Sequence, residues 1–221
     1  MADPIPHDAP VLVIGLGRFG AATAGQLQRQ GREVLAIDTD EQLVQKWSER
    51  VTHAVQADAR NLEALRQIGA QEFAVAVVAV GTSLEASVLI TANLADLGVS
   101  QIWAKATSST HGKILARIGA HHIVYPEAEA GVRAAHLLTG HMLDFFQFDD
   151  SFVLSKLRPP KVVRGMPLSQ SSIRSRFNVT VVGVKRRGEQ FTYATPDIEL
   201  AESDIIVVAG ASEDVERFAS I

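Results

Sequence analysis

Three glycines, Gly15, Gly17 and Gly20, stand at the G-x-G-x-x-G spacing that can hold the phosphates of a nucleotide. An apolar run predicts a buried strand over Val11–Gly15, and a helical pattern begins at Gly20. In such a junction the first glycine permits the tight turn, the second lets phosphate oxygens approach the backbone, and the third lets the helix pack close to the strand. The N–H groups at the start of the helix also attract an anion. This stretch therefore predicts phosphate binding.

A carboxylate follows the glycine loop at a distance that suits a ribose. Asp38 ends the predicted strand Glu33–Asp38 and lies 18 positions after Gly20. A carboxylate there accepts hydrogen bonds from ribose hydroxyls and disfavours a 2′-phosphate. Asp38 is alternatively suited to cap the helix that begins near Glu41, and Asp40 is equally suited to that position. We take Asp38 as the ribose ligand and Asp40 as the cap.

Two cations are placed to meet phosphate. Arg18 lies inside the glycine loop, where the terminal phosphate of a nucleotide would extend. Lys105 ends the predicted strand Gln101–Lys105, and the carboxyl ends of parallel strands form the edge at which open α/β sheets bind ligands. A lysine acts on phosphate there as a point charge. Each cation is also compatible with a solvated surface side chain.

The composition indicates a globular protein and argues against several classes. The chain has 221 residues, 47% of them hydrophobic, and its formal net charge of −4 argues against a general nucleic-acid binder. It contains no cysteine, which excludes disulfides and thiolate metal sites. The segment 1–10 lacks the parts of a signal peptide, and the longest apolar run, Phe73–Val80, is far shorter than the ~20 residues of a membrane helix. We therefore expect a soluble, cytoplasmic protein that meets a membrane only through a partner.

From Pro10 to about Glu129, apolar β-rich runs alternate with helical stretches, which is typical of a parallel sheet covered on both faces. The six predicted strands are Val11–Gly15, Glu33–Asp38, His53–Gln56, Phe73–Val80, Gln101–Lys105 and His122–Tyr125. The predicted helices between them are Gly20–Gln30, Glu41–Arg50, Asn61–Ile68, Leu84–Leu97 and Ser109–Ile118. Later in the chain, four short strands and two helices predict a small α+β unit: Phe152–Leu157, Ser169–Arg176, Val179–Lys185, Phe191–Tyr193, Asp204–Ala209 and Glu213–Ala219.

These patterns predict an α/β fold with three parts. A Rossmann-type, doubly wound parallel sheet occupies 1–130, linking helices occupy 131–148, and the α+β domain occupies 149–221. Gly131–Phe146 is predicted to be helical with an apolar stripe, and Gly140 allows two helices or a kink. We expect this stripe to pack against a second copy of the chain; an intrachain core face is the alternative.

The order of motifs resembles the RCK family of potassium channel and transporter regulators, of the KtrA/TrkA type. The resemblance rests on these segments: Val13-Ile-Gly-Leu-Gly-Arg-Phe-Gly20, Ile37-Asp38-Thr-Asp40, Gln56-Ala-Asp58-Ala59-Arg60, Val80-Gly81-Thr82, Ala104-Lys105-Ala106 and Val124-Tyr-Pro126-Glu127. The later segments Pro196–Leu200 and Glu202–Gly210 resemble an RCK C-terminal domain. Together the two resemblances cover nearly the whole chain.

The resemblance implies a regulatory role without catalysis. We expect a cytoplasmic gating subunit of a potassium uptake system, held at the inner face of the plasma membrane by an integral-membrane partner. The expected ligand is ATP or ADP, with NAD(H) as the alternative. The expected assembly is a homodimer that forms a ring, which we take to be octameric.

The resemblance also implies the site residues. In this family the residue matching Arg18 contacts phosphate across a dimer interface, and the residues matching Asp58 and Ala59 lie beside adenine. The residue matching Glu127 lies near the terminal phosphates, and the resemblance leaves room there for Mg²⁺ or Ca²⁺; Glu129 is an alternative ligand. The full expected nucleotide site comprises Gly15, Gly17, Arg18, Phe19, Gly20, Asp38, Thr39, Asp58, Ala59, Val80, Gly81, Thr82, Lys105 and Glu127.

Some relatives of this type bind cyclic di-AMP between C-terminal domains, through a segment that matches 172–180 here. Ile173 and Arg174 keep the expected apolar contact and cation. Thr180 stands where an asparagine is common, and a hydroxyl cannot make the paired contacts of an amide. We therefore expect weak or absent binding of cyclic di-AMP.

A nicotinamide dehydrogenase is the rival interpretation, because the glycine loop and Asp38 also suit NAD. Such an enzyme needs an acid or base aimed at the nicotinamide. The second domain has no histidine after His141, and its carboxylates fall mostly in a turn and the final helix. We therefore expect no enzyme.

Overall fold

The computed structural model describes residues 8–81, 83–138, 140–149 and 151–221. They form two compact units that divide between Glu127 and Ala128. Within the described part of the chain, no helix is both long and apolar enough to cross a lipid bilayer.

The first unit is built on a six-stranded sheet in the order β3-β2-β1-β4-β5-β6, with every neighbouring pair parallel. The strands are β1 (Val11–Ile14), β2 (Val34–Asp38), β3 (His53–Gln56), β4 (Val75–Val78), β5 (Gln101–Lys105) and β6 (His122–Val124). Helices follow the first five of them: α1 (Arg18–Arg29), α2 (Glu41–Trp47), α3 (Leu62–Gln67), α4 (Leu84–Asp96) and α5 (Ser109–Arg117). The predicted doubly wound α/β fold is confirmed.

The two faces of this sheet bury separate apolar clusters, because neighbouring residues of a strand point to opposite sides. In β1, Leu12 and Ile14 face one cluster, whereas Val11 and Val13 face the other. The order of the strands reverses between β1 and β4, since the chain leaves β3 at one edge and returns beside β1. In sheets of this kind, ligands bind outside the carboxyl ends of the strands at such a reversal.

The second unit contains a five-stranded antiparallel sheet in the order β10-β9-β11-β8-β7. Its strands are β7 (Met142–Gln147), β8 (Phe152–Leu157), β9 (Val179–Lys185), β10 (Thr192–Tyr193) and β11 (Ile205–Ala211). Its helices are α7 (Leu168–Ser171), α8 (Ile173–Phe177) and α9 (Ser212–Ala219). Phe177 and Phe218 contact each other in its apolar core. The predicted small α+β unit is confirmed.

The segment expected to be helical throughout Gly131–Phe146 is divided in the structure. Helix α6 spans Pro126–Leu138, Gly140 has φ of 75°, and Met142–Gln147 forms the edge strand β7. The prediction of helix over the second half is therefore wrong. The apolar spacing there satisfied a helical period, but Met142 and Phe145 instead enter the core of the second sheet, with a register shift between them.

A second predicted helix, Ser169–Arg176, is also divided. It forms α7 and α8, with Ser172 between them in the left-handed region at φ of 53°. Residues other than glycine rarely adopt that conformation, and because the position holds a serine, nothing in the sequence signals the break.

Candidate nucleotide-binding site

The glycine loop joins β1 to α1 in the geometry that its spacing predicts. Gly15 has φ of 97°, and its N–H donates to the carbonyl oxygen of Ile37 at 2.7 Å. A β-carbon on Gly20 would lie 1.8 Å from the carbonyl oxygen of Gly15, so only glycine fits there. A β-carbon on Gly17 would meet no atom of the described residues within 4 Å. The fold therefore requires glycine at the third position, whereas the second leaves open space for an approaching ligand.

The first turn of α1 offers backbone donors at this edge of the sheet. Its N-cap residue is Gly17, which has extended backbone and no side chain to accept a hydrogen bond. No acidic residue lies in the first turn. The N–H groups of the turn and the positive end of the helix dipole therefore suit an anion.

The carboxylate of Asp38 fixes the glycine loop to the end of β2. It accepts hydrogen bonds from the N–H of Leu16 at 2.5 Å and from the N–H of Asp40 at 2.9 Å. Its two oxygens have about four lone-pair positions, so acceptor capacity remains for ribose hydroxyls. Asp40 caps α2, because its side chain accepts from the N–H groups of Gln42 and Leu43. The expected division of labour between the two carboxylates is consistent with this geometry.

A cavity of about 470 Å³ opens at the carboxyl edge of the sheet, where the strand order reverses. That volume lies within the usual range for small-molecule sites. It is lined by eight residues of the expected site: Gly15, Gly17, Asp38, Thr39, Asp58, Ala59, Val80 and Gly81.

Five of the expected residues that the structure describes do not line this cavity. Gly20 is buried against the loop, and Arg18 is exposed beside it. Phe19 lines a separate, mostly apolar cavity of about 370 Å³. Lys105 and Glu127 pair with each other, as described below. Thr82 lies outside the described residues.

Arg60 lines the cavity, although sequence reasoning assigned it no role. Its guanidinium binds the carboxylate of Asp58, with 2.6 Å between Nη2 and Oδ2. The hydrogen bond from Arg60 holds the pKa of Asp58 below its ordinary value. The Asp-x-Arg spacing after a strand could have signalled this pair, which places a cation and an anion at the rim of the cavity.

Lys105 and Glu127 form an ion pair with 2.6 Å between Nζ and Oε1. The lysine side chain is only 13% exposed, whereas that of Glu127 is 63% exposed. A β-carbon on Gly81 would lie 3.1 Å from Nζ of Lys105, so this glycine makes room for the lysine. The hydrogen bond from Lys105, the backbone N–H of Glu127 itself and the more distant charge of Arg18 lower the pKa of Glu127.

The described residues of one chain do not fit a divalent metal at Glu127. Its carboxylate is bound by the cation of Lys105. In the described part of the chain, no group of three or more histidine and acidic side chains is placed to hold a metal ion. The metal therefore enters no step of the function argued below.

The second unit has a larger cavity, of about 660 Å³, on the segment expected to matter for cyclic di-AMP. Ile173, Arg174 and Thr180 all line it, together with residues of α7 and of the segment 194–196. Arg174 is the one charged residue among the lining side chains of this described cavity. The expectation of weak cyclic di-AMP binding stays a prediction.

Comparison with protein families gives two matches in chain order. Residues 11–126 match the TrkA-N domain, and residues 153–221 match the TrkA-C domain. The chain is 33% identical over 207 residues to Ktr system potassium uptake protein A of Bacillus subtilis (strain 168), covering 93% of each protein. It is 34% identical over 207 residues to Ktr system potassium uptake protein C of the same organism, covering 93% of this chain and 94% of that one.

Solved structures show the same fold at lower sequence identity. The GsuK RCK domain superposes with a TM-score of 0.65 and 16% identity, over 98% of this chain and 49% of that one. The GsuK channel bound to NAD superposes with a TM-score of 0.62 and 17% identity, over 97% of this chain and 40% of that one. With both domain matches and relatives similar along nearly their whole length, the chain belongs to the RCK family of TrkA-type regulatory subunits.

Proposed function

We propose that this protein binds an adenine nucleotide, ATP or ADP, and thereby regulates a potassium channel or transporter in the membrane. The Ktr potassium uptake relatives support a regulatory subunit of potassium transport. The proposed location is the inner face of the plasma membrane, where the integral-membrane partner would hold the protein.

The observation that carries the nucleotide proposal is the cavity of about 470 Å³ at the strand reversal. It brings the open face of Gly17, the carboxylate of Asp38 and the backbone at Asp58 and Ala59 to one place. Phosphate would contact the glycine loop and the start of α1. Ribose would contact Asp38, and the base would lie toward the end of β3.

The proposed ligand is ATP or ADP rather than NAD(H), because a cation stands next to the loop. Arg18 is exposed beside the cavity and does not line it. A terminal phosphate that leaves the cavity would reach this cation, in the same chain or in a dimer partner. NAD(H) stays the alternative ligand, since the GsuK channel has been solved bound to NAD.

The pair between Lys105 and Glu127 gives the ligand a means to change the protein. Lys105 is mostly buried, so phosphate can reach its charge only by competing with Glu127. Glu127 lies in the first turn of α6, and this helix continues past the division between the units. A nucleotide that binds Lys105 more strongly in one arrangement of α6 would shift the protein toward that arrangement. No chemical change in the nucleotide is needed.

A homodimer is part of the proposal, because two apolar surfaces are left open by the residues that the structure describes. Trp103, Phe19 and Val124 line the apolar cavity of about 370 Å³ on the first sheet. No described residue of α6 is buried, and Val132 and Leu138 on it are 50% and 86% exposed. Apolar side chains that cluster on an exposed face are typical of a surface that packs against a partner. A second copy that places α6 on this face would cover both, and a ring of eight subunits is the assembly that the RCK resemblance implies.

Calorimetric titration of nucleotide-stripped protein with ATP, ADP, NADH and NAD⁺ tests the ligand. Tighter binding of ATP or ADP than of either dinucleotide is expected. Preferential binding of NADH would replace the adenine-nucleotide proposal with its alternative, and no binding of all four would refute it. Light scattering at micromolar concentration tests the assembly, where a monomer in the presence of nucleotide contradicts the dimer.

A further inference from the structure

A histidine is buried in the first turn of α5, just behind the edge that binds nucleotide in the proposal above. His111 is 1% exposed. Its backbone N–H donates to Oγ of Ser108, the residue that caps α5, at 3.1 Å. The side chain and the main chain of this residue are therefore both part of the turn between β5 and α5.

The imidazole accepts a hydrogen bond from the turn. Nδ1 lies 3.3 Å from the backbone nitrogen of Thr107, whose N–H points to it, and 3.3 Å from the hydroxyl of the same residue. A backbone N–H can only donate, so Nδ1 must carry no proton. His111 is therefore the neutral tautomer with its proton on Nε2, and burial favours this state because it lowers the pKa of the ring.

The other ring nitrogen makes the arrangement costly. Nε2 is buried and has no hydrogen-bond partner among the residues that the structure describes. An unpaired buried donor lowers stability, whereas a leucine would fill similar space without that penalty. The imidazole is therefore a poor choice for packing alone, and what it supplies is the acceptor at Nδ1.

The N–H that Nδ1 accepts, that of Thr107, lies two residues after Lys105, the lysine that meets phosphate in the proposed function. Lys105 is the last residue of β5, and the N–H of Ala106 donates to the carbonyl oxygen of Val124 at 2.9 Å. The next backbone N–H, that of Thr107, donates its hydrogen bond to Nδ1 of His111. The turn is thus tied to β6 and to α5 directly after the lysine, and Nζ of Lys105 lies over Gly81.

We propose that His111 is a positioning residue, whose Nδ1 holds the turn after β5 and thereby aims Lys105 at nucleotide phosphate. This inference rests on the proposed function for its ligand. The hydrogen bond between His111 and the turn can nevertheless be tested in the ligand-free protein, whatever the ligand is.

A matched control lies at the other end of β5. Nδ1 of His121 accepts the N–H of Ile102 at 3.1 Å, which is the same kind of bond at the edge remote from the cavity. The variants are therefore H111L, which removes the acceptor, H111Q, which keeps an acceptor oxygen, and H121L. We expect H111L to weaken ATP binding about fivefold to tenfold, and H111Q and H121L to stay within twofold of wild type, by calorimetry on protein shown to be folded.

Equal binding by H111L and wild type would overturn the proposal. So would equal losses in H111L and H111Q, or a loss in H121L as large as that in H111L, because these indicate destabilisation without positioning.

The ligand-free protein provides a second, independent experiment. Imidazole ¹⁵N shifts should show Nδ1 of His111 without a proton, and the Thr107 amide should exchange slowly in wild type and H111Q but rapidly in H111L. A protonated Nδ1, or equally slow exchange in all three proteins, would contradict the proposal that Nδ1 of His111 holds the turn. If wild type bound no nucleotide, the proposed function would fail and this arm would decide the role of His111 in the turn.

Discussion

The cavity at the nucleotide edge of the first unit and the larger cavity of the second unit differ in how their polar groups are held. At the parallel sheet, the cavity of about 470 Å³ is lined by four charged side chains, and each of them makes a hydrogen bond within the protein that fixes its direction: Asp38, Asp40, Asp58 and Arg60. In the second unit, Arg174 supplies the one charge among the described lining residues of a larger cavity, beside serine and threonine hydroxyls. The first cavity is organised before a ligand arrives, and less ordering on binding favours affinity. The cavity of the second unit is larger, but only one charged side chain lines its described part.

The largest effect should come from the glycine that the fold of the first cavity requires. In Gly20→Ala, the new methyl group meets the carbonyl oxygen of Gly15 and the side chain of Ala79. Overpacking of this kind costs about 3 kcal/mol, so urea unfolding should show a loss of that size. Gly17→Ala is the control: its methyl group meets no described residue, and the stability should change by less than about 1 kcal/mol while nucleotide affinity falls. Equal stability of the two variants would contradict the conclusion that the fold requires glycine at position 20 but not at position 17.

Asp38→Ala should weaken nucleotide binding by about 1–3 kcal/mol, the range for leaving polar groups unpaired. The loss has two sources, the ribose contact and the N–H of Leu16, which the carboxylate holds in the loop. Asp40→Ala removes the cap of α2 and should lower stability by about 1 kcal/mol with little effect on affinity. Calorimetry and urea unfolding on both variants separate these roles, and unchanged affinity in folded Asp38→Ala would remove this residue from the site.

Arg18→Ala should reduce affinity for ATP more than affinity for ADP. The guanidinium is exposed at the start of α1, and a charge-assisted bond to the γ-phosphate is available only to ATP. Titration of both nucleotides gives the ratio of the losses. Equal losses would place Arg18 at the inner phosphates.

Glu127→Gln should raise nucleotide affinity about twofold to fivefold, because the carboxylate of a half-exposed ion pair no longer competes for Lys105. The pKa of Glu127 is lowered in the folded protein, so its ionised form contributes stability above the ordinary carboxyl pKa, and that contribution disappears as the pH falls through the folded value. Unfolding measured against pH should show wild type and variant converging in acid. A loss of ATP affinity in Glu127→Gln that appears only with Mg²⁺ would instead favour a metal at this carboxylate.

The smallest effect is expected in the second unit. Cyclic di-AMP should bind weakly or not at all to the full chain, because Thr180 offers a hydroxyl without an amide and Arg174 is the one charge lining the described cavity. Thr180→Asn is the matched variant, and a gain in binding would support this reason. Submicromolar binding by wild type would contradict it and would make the two cavities more alike than their charges indicate.

The parallel sheet was predictable because its signals are local. The central strands β1, β2 and β4 carry apolar runs that are largely buried, and β1 and β2 are followed by a glycine loop and ended by an acidic residue, respectively. Strand β7 was not predictable from the sequence, because the spacing of Met142, Phe145 and Phe146 fits a helix as well as an edge strand with a register shift. The pairing of Lys105 with Glu127 was also missed, since 22 positions separate them and only the juxtaposition of β5 with the start of α6 brings them together. Sequence reasoning assigned both residues to phosphate and did not foresee that one would hold the other.

In the proposed function, helix α6 would act as a lever arm. Its 13 residues extend about 20 Å at the ordinary rise per residue, with Glu127 in its first turn. Because such a helix is stiff, a tilt of about 10° at its start would displace its far end by roughly 3.5 Å, a distance obtained from that length. A local exchange of anions at Lys105 would thus be converted into a displacement as large as an atomic diameter, and the helix would transmit it without any rearrangement of the sheet.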